Sequence, residues 1–381
     1  MPADPAAIGG FASLSAAARG YRVWLTTDAL PLWARVGVDP ATGAFREGLR
    51  TSGEAYDPRR RTRVQSRQVF VFASAACDGF WPQGLMIARR GWAAFQRTHQ
   101  RADGLYLAES GPGGTITDAT PRLYEQAFVL LALSALQRAD PSADWTTQAL
   151  NLQERLGPFR HALGGFREAG REPFQANAQM HLFEAALAWD AAAPNSTWSE
   201  LADEIAALAL ARLIDPVSGV LHEFFESDWT PRRGNAGLIE PGHHFEWAWL
   251  LDAWGKARGH AAGCSTARRL FEVGASGFDA SRQVAVNALW EDLTIRDAGA
   301  RLWPQTEHLR AALAFGDGAR ALAAANGLSR YLQTPAPGAW HERMRPDGGF
   351  VDEPAPATSL YHLYGAVRVL CEPSRRAAEA C

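Results

Sequence analysis

A turn that recurs along the whole chain constrains its fold more than any other feature. Asp39-Pro40-Ala41-Thr42-Gly43-Ala44-Phe45-Arg46-Glu47 and Asp215-Pro216-Val217-Ser218-Gly219-Val220-Leu221-His222-Glu223 carry Asp, Pro, Gly and Glu at the same offsets. Looser copies are Asp103-Gly104-Leu105-Tyr106, Gly164-Gly165-Phe166-Arg167-Glu168, Gly277-Phe278-Asp279 and Asp347-Gly348-Gly349-Phe350. Asp-Pro opens a turn, Gly takes a positive φ, and the residues after it favour a short extended segment. The copies begin at positions 39, 103, 164, 215, 277 and 347, so one unit takes roughly 60 residues.

Between the turns the pattern is helical. Leu123 to Leu133 is apolar nearly all round, as a buried helix would be. Trp198 to Leu213 places Leu201, Ile205, Leu208 and Ala209 on one face, with Asp203 and Glu204 outward. His243 to Trp254 and Gln305 to Phe315 again have the composition of buried helices. Two helices in each unit predict an all-α chain, an (α/α)6 barrel of six helical hairpins with short β-hairpin turns. It is expected to form one catalytic domain over 1–381, with no linker to cut it. An open α-solenoid competes, but its units are normally shorter and need polar caps.

Composition excludes several function classes. Hydrophobic residues are 47% and charged residues 21%, which rules out wholesale disorder. A net charge of −3 gives no electrostatic case for nucleic acid or an anionic membrane. Lys256 is the only lysine, and no glycine-rich loop precedes it, which disfavours a Schiff base or a P-loop. Cys77, Cys264, Cys371 and Cys381 form no C-x-x-C pair and read as reduced. Met1 to Gly20 lacks a basic segment followed by an apolar one, and no uncharged apolar run reaches membrane-spanning length. The expectation is a cytoplasmic protein, monomer or homodimer, with a small-molecule substrate.

Four stretches put polar groups inside apolar helices, where an unpaired group costs about 1–3 kcal/mol. Arg67 precedes an apolar run, with Arg63 one turn earlier as the alternative. Asn177, His181 and Glu184 fall on one face at i, i+4 and i+7. Pro241-Gly242 sets a helix start, after which His243 and Glu246 share a face. His362 lies in an apolar setting near the end of the chain. Taken singly, each reads most simply as a hydrogen-bonded core residue; their coincidence on helices facing one axis points to chemistry. His99, His161, His222, His260, His308 and His341 keep the structural reading. H-E-x-x-H and G-x-S-x-G are both absent, so neither a zinc protease nor a serine nucleophile is expected. No metal or other cofactor is called for. A glycosidase would need two opposed carboxylates, for which Glu246, Glu307 or Asp118 are available.

The motifs Ser66-Arg67-Gln68, Met180-His181-Leu182-Phe183-Glu184-Ala185, Pro241-Gly242-His243-x-x-Glu246-Trp247 and Leu302-Trp303-Pro304-Gln305-Thr306-Glu307 resemble, in this order, those of the N-acylglucosamine 2-epimerase superfamily. The resemblance covers about residues 20 to 372. It implies an (α/α)6 barrel and metal-free proton transfer at carbon 2 of an open-chain sugar. By that resemblance His243 and His362 are the acid/base pair, and His243 also opens the sugar ring. Glu246 orients His243, while Arg67 and His181 stabilise the oxyanion. Asn177, Tyr124 and Trp303 line the sugar pocket, and Glu307 joins them. Glu246-Trp247 resembles the mannose isomerase branch, although Ala248-Trp249 departs from it where an arginine is common. The reading is an aldose–ketose isomerase acting on a free monosaccharide, mannose to fructose. The alternatives are a 2-epimerase on N-acylglucosamine or a β-linked disaccharide and, more distantly, a barrel glycoside hydrolase. No cluster of basic residues flanks the motifs, which argues against a phosphosugar.

Overall fold

Each recurring turn joins an outer helix to the inner helix that follows it. The structure, a computed structural model, describes residues 8–232 and 238–379, with side chains to residue 372. Helix α1 (Leu14–Val23) runs through a π-helical segment, Trp24–Ala29, into α2 (Leu30–Arg35); the first turn then leads to α3 (Thr62–Cys77). In the same way α4 (Gly84–His99) leads to α5 (Leu123–Ala139), and α6 (Trp145–Arg155) to α7 (Ala176–Ala192). Next, α8 (Ser196–Leu208) leads to α9 (Pro241–Arg258), α10 (Ala261–Ala275) to α11 (Leu302–Ala314), and α12 (Gly318–Tyr331) to α13 (Thr358–Glu379).

The inner helices close a ring. Each of α3, α5, α7, α9, α11 and α13 packs on the next, and α13 packs back on α3. Outside them, α4, α6, α8, α10 and α12 back the inner helices α3, α5, α7, α9 and α11, and α1 backs α13. This is the expected (α/α)6 barrel, not a solenoid. A small sheet also joins first unit to last: Gly48 pairs with Tyr56 on one side and with Pro356 on the other. One apolar cluster runs from Ala17 to Cys371. No helix among the described residues is long and apolar enough to cross a membrane. Cys77, Cys264 and Cys371 form no disulfide; Cys381 lies outside the described residues.

One device fixes the hairpins to the barrel. The fourth residue of α3, α5, α7 and α11 is a glutamine, and its amide offers one donor and one acceptor, like a peptide group. Gln65 bonds both N–H and C=O of Phe45, at 2.9 and 2.6 Å. Gln126 does the same to Tyr106, Gln179 to Phe166 and Gln305 to Ala285. In α9 the fourth residue is His244. Its Nε2 accepts the N–H of Leu221 at 3.0 Å, while Nδ1 donates to the carbonyl of Glu240 at 3.0 Å. This pattern needs a neutral ring, and burial pushes the His244 pKa down to about 4.

The fifth turn lies further along than the sequence reading placed it. Phe278-Asp279 pairs with Val284-Ala285, so the turn falls between them and not at Gly277. Gln283 stands where the Asp-Pro copies have glycine, and it takes a positive φ of 57°. The lost glycine hid the register. His308, given a structural reading, is buried in α11 with its ring stacked on Phe245 at 4.5 Å.

The staple yields a testable contrast. A histidine with a depressed folded pKa adds stability above its unfolded pKa of about 6.5, and that stability is lost as pH falls towards about 4. Glutamine keeps a donor and an acceptor without titrating. Between pH 7 and pH 5, wild type should lose about 2 kcal/mol more unfolding free energy than His244→Gln. Urea melts at the two pH values measure this, and equal losses would refute it.

Candidate active site

The inner helices present side chains to the axis by a fixed rule. Their second residues, in ring order, are Arg63, Tyr124, Asn177, Gly242, Trp303 and Ser359. Their sixth, one turn deeper, are Arg67, Phe128, His181, Glu246, Glu307 and Leu363. Positions four apart share a helix face, so the rule builds two stacked layers at the N-terminal end of the barrel. Gly242 is the gap in the first layer. A Cβ there would come within 2.5 Å of the Trp303 ring, and the indole occupies the space. His243 and His362 are offset by one residue from the rule, and both rest against that indole. The ring centroid of Trp303 is 5.1 Å from His243 and 5.6 Å from His362.

Each of these histidines is held by a different carboxylate. His243 Nδ1 lies 2.9 Å from both oxygens of Glu223, which comes from the fourth turn. The sequence reading gave this orienting role to Glu246; the structure gives the bond to Glu223. Burial works to lower the His243 pKa, but the charges of Glu223 and Glu240 outweigh it and raise the value to about 9. His362 Nδ1 lies 2.9 Å from Glu307. There burial prevails over the carboxylate, aided by the charges of Arg67 and Arg310, and the His362 pKa falls below its ordinary value. The two imidazoles therefore hold opposite charge states at neutral pH.

Below them three carboxylates converge. Glu307 takes the indole N–H of Trp249 at 2.9 Å and the Arg310 guanidinium at 3.2 Å. Burial opposes its charge, yet Arg310 and His362 hold its pKa down at about 2. Arg310 stacks on Trp249 at 3.8 Å. Glu184 accepts the Tyr361 hydroxyl and lies 3.4 Å from His181. Glu246 has one oxygen 3.9 Å from His181 and no hydrogen-bond partner for it. Burial, with Glu307 and Glu184 close by, pushes the Glu246 carboxyl far above the usual range, so it is protonated. Burial lowers the His181 pKa to about 4, so that ring is neutral.

Arg67 completes the wall. It donates to the Tyr124 hydroxyl at 3.0 Å, and its guanidinium sits 4.0 Å above Phe128. Arg63, the alternative, turns instead to Glu125 at 2.7 Å. Arg67 Nε, Asn177 Oδ1 and Glu246 Oε1 are buried without partners among the described residues. Unpaired buried polar atoms on several helices around one axis are what a polyhydroxylated ligand would satisfy. Asp118 is not among them; it pairs with Arg122 on the rim.

Two groups here have the composition of a metal site. The ligand atoms of His181, Glu184 and Glu246 lie within 4.8 Å of one another, as do those of Glu246, Glu307 and His362. Arg310 already sets a cation against Glu307, and Glu246 carries a proton. A divalent ion at the second group would have to displace the Arg310 guanidinium from Glu307.

All nine residues expected at the site are placed at this end of the barrel. The reading missed Glu223, Arg310, Trp249 and Tyr361 as parts of the network, and it placed Glu184 on the face of His181 without giving it a role. Glu223 did carry a signal. The Glu that follows the turn recurs as Glu47, Glu168 and Glu223, and each ties the loop to an inner helix or its start. Glu47 pairs with Arg61, Glu168 accepts the N–H groups of Leu123 and Tyr124, and Glu223 holds His243.

Known proteins share both this sequence and this architecture. The family model of N-acylglucosamine 2-epimerase matches residues 43–366. The mannose-6-phosphate isomerase of Rhizobium meliloti (strain 1021) is 42% identical over 363 residues, covering 90% of this chain and 94% of that one. A crystal structure of D-mannose isomerase superposes with a TM-score of 0.83 at 22% identity, covering 94% of this chain and 97% of the other. The cellobiose 2-epimerase of Bacillus thermoamylovorans B4167 does so with a TM-score of 0.83 at 16% identity, covering 93% and 99%. The chain belongs to the N-acylglucosamine 2-epimerase family.

Proposed function

We propose that the chain is a cofactor-free aldose–ketose isomerase that interconverts mannose-type and fructose-type sugars through an enediolate. The observation that carries this reading is the pair of imidazoles against Trp303, one cationic and one neutral at the same pH. Groups whose environments push their pKa values apart divide the acid and base roles between them.

The neutral ring is His362. Its Nδ1–H is committed to Glu307, so the Nε2 lone pair is free to take the proton from carbon 2. As that C–H bond breaks, its electrons form the enediolate and charge moves to the carbonyl oxygen O1. His243 is the cation. With Nδ1–H given to Glu223, its Nε2 proton goes to the ring oxygen as the C1–O bond breaks and is regained from the O1 hydroxyl, and the restored Nε2–H then donates to carbonyl O1 of the open chain. His243, now neutral, takes the proton from the hydroxyl O2. Carbon 2 becomes the carbonyl, and His362 returns its proton to carbon 1. Both rings end as they began. Arg67, His181 and protonated Glu246 supply further donors to the sugar oxygens, with Asn177, Tyr124 and Trp303 as pocket walls.

Epimerisation needs a second base that protonates carbon 2 from the opposite face. A cationic His243 carries the proton that either outcome requires, so the products, and not its charge, separate isomerase from epimerase. Hydrolysis needs two free carboxyls. Here Glu307 is held by His362, Trp249 and Arg310, which disfavours it.

Incubation with mannose in deuterated water should yield fructose with deuterium at carbon 1, read by NMR. An inverted aldose alone would favour the epimerase, and release of reducing ends from oligosaccharides would favour the hydrolase. His362→Asn should abolish turnover yet still bind sugar; unchanged turnover would remove His362 from the mechanism. Dialysis against a chelator should leave the rate unaltered.

The Glu223 contact makes a separate prediction. A raised His243 pKa keeps the acid protonated until pH passes about 9, so kcat should hold through neutral pH and fall beyond it. In Glu223→Gln the alkaline fall should move towards the ordinary imidazole value of about 6.5. An unshifted alkaline limb in the variant would separate Glu223 from the acid.

A further inference from the structure

Beside the axis, the first layer opens into a second space. A cavity of about 340 Å³ is walled by Arg63, Arg122 and Arg171, and shares Tyr124 and Asn177 with the sugar pocket. These arginines come from α3, from the residue before α5, and from the loop before α7. They are far apart in sequence, so no basic cluster shows in any one segment.

The charges around the cavity are not all neutralised locally. Arg63 faces Glu125 and Arg122 faces Asp118. Arg171 is exposed, and no carboxylate pairs with it among the described residues. The two acids that line the space are occupied elsewhere. Both oxygens of Glu168 are used: one takes the N–H groups of Leu123 and Ala169, the other that of Tyr124. Glu172 pairs with Arg232. What remains is the Arg171 guanidinium without a counter-ion, in a cavity also lined by Tyr124, whose hydroxyl Arg67 holds. A dianionic group with several acceptor oxygens is the ligand chemistry that a guanidinium cluster recognises best.

We propose that this cavity holds the phosphate of a phosphorylated hexose whose carbonyl end reaches His243 and His362. The inference rests on the isomerase reading and sharpens its substrate from a free hexose to a sugar phosphate. In this pose the hydroxyls between the two ends pass Arg67, Tyr124 and Asn177, and the phosphate meets Arg171 first, with Arg122 and Arg63 behind it. The 42%-identical relative is named for a phosphosugar, in keeping with this pose.

The test compares mannose 6-phosphate with mannose on the full chain. Wild type should show the higher kcat/KM on the phosphate, and added salt should erode that advantage by screening. Arg171→Ala should lower kcat/KM for mannose 6-phosphate about tenfold more than that for mannose, and Arg171→Glu should lower it further. The loss should lie in KM with kcat retained. Arg171 is exposed, so both variants should fold, as circular dichroism would verify. Equal losses on the two sugars, or no loss on either, would overturn the phosphate site while leaving the isomerase intact. If neither sugar turns over, the isomerase reading fails instead. Calorimetric titration of His362→Asn, with and without Arg171→Ala, then still decides the cavity: mannose 6-phosphate binding that ignores Arg171 overturns the site, and binding weakened about tenfold upholds it.

Discussion

Three carboxylates buried within reach of one another set the terms for everything around them. An ionised carboxylate taken out of water costs several kcal/mol unless it is paired and hydrogen-bonded. Glu184, Glu246 and Glu307 cannot all stay charged on one axis, and the fold resolves the conflict unevenly. Glu307 receives a guanidinium, an indole N–H and an imidazole. Glu184 receives a phenol and a histidine. Glu246 receives too little and keeps its proton. The protonation states of the two outer histidines are set against this background. His362 leans on a carboxylate already neutralised by Arg310, so burial decides its charge. His243 leans on Glu223, away from Arg310, so the carboxylate decides it.

That arrangement depends on ångström-scale placement, which the staples provide. A hydrogen bond to a buried backbone pair fixes the height of each hairpin against its inner helix. Glu223 leaves the fourth hairpin two residues beyond Leu221, whose N–H is held by His244. His244 and His243 are neighbours in α9, so the residue that docks the hairpin stands next to the one that receives its carboxylate. The residues before α3, α7, α9 and α11 make no side-chain cap bond, unlike those before α6, α8, α10 and α12, while α5 is capped from a loop by Glu168. The N-terminal ends of the inner helices, with partial positive charge, face the end of the barrel where an enediolate would form.

The ring was legible in the sequence because its causes are local. A turn is written in four or five adjacent residues, and an inner helix in an unbroken apolar run. The site residues on inner helices were legible for the same reason: Arg67, His181, Glu246 and Glu307 are polar interruptions in such runs. What sequence did not reveal was who touches whom. Glu246 sits one turn from His243 and was the natural local partner, yet the side chain reaches towards His181 and the bond to His243 crosses from a loop. Arg310 looked like an ordinary helix residue, because its value lies in carboxylates from α7, α9 and its own previous turn. The arginines at the cavity were missed as a cluster because α3 and the loops before α5 and α7 become neighbours only when the ring closes. The misplaced fifth turn has the opposite cause, a local signal erased when Gln283 took the position of a glycine.

The uneven protonation has a consequence for how such a barrel can change its reaction. Isomerase and epimerase chemistry share the first proton transfer, so the fork lies with the second histidine. If the proton on that ring goes to oxygen, the outcome is isomerisation; if it goes to carbon 2 from the other face, the outcome is epimerisation. The proton is held on that ring by Glu223, which lies on a hairpin loop and not on the inner helices that carry the rest of the pocket. Loops tolerate substitution better than packed helices. The supply of that proton can thus be altered by one residue outside the barrel wall, with Trp303 and the two imidazoles left in place. The proposed phosphate cavity lies apart from this loop, beside Arg171. Separate control of reaction and substrate, by two loops against one fixed core, is what a ring of helical hairpins permits.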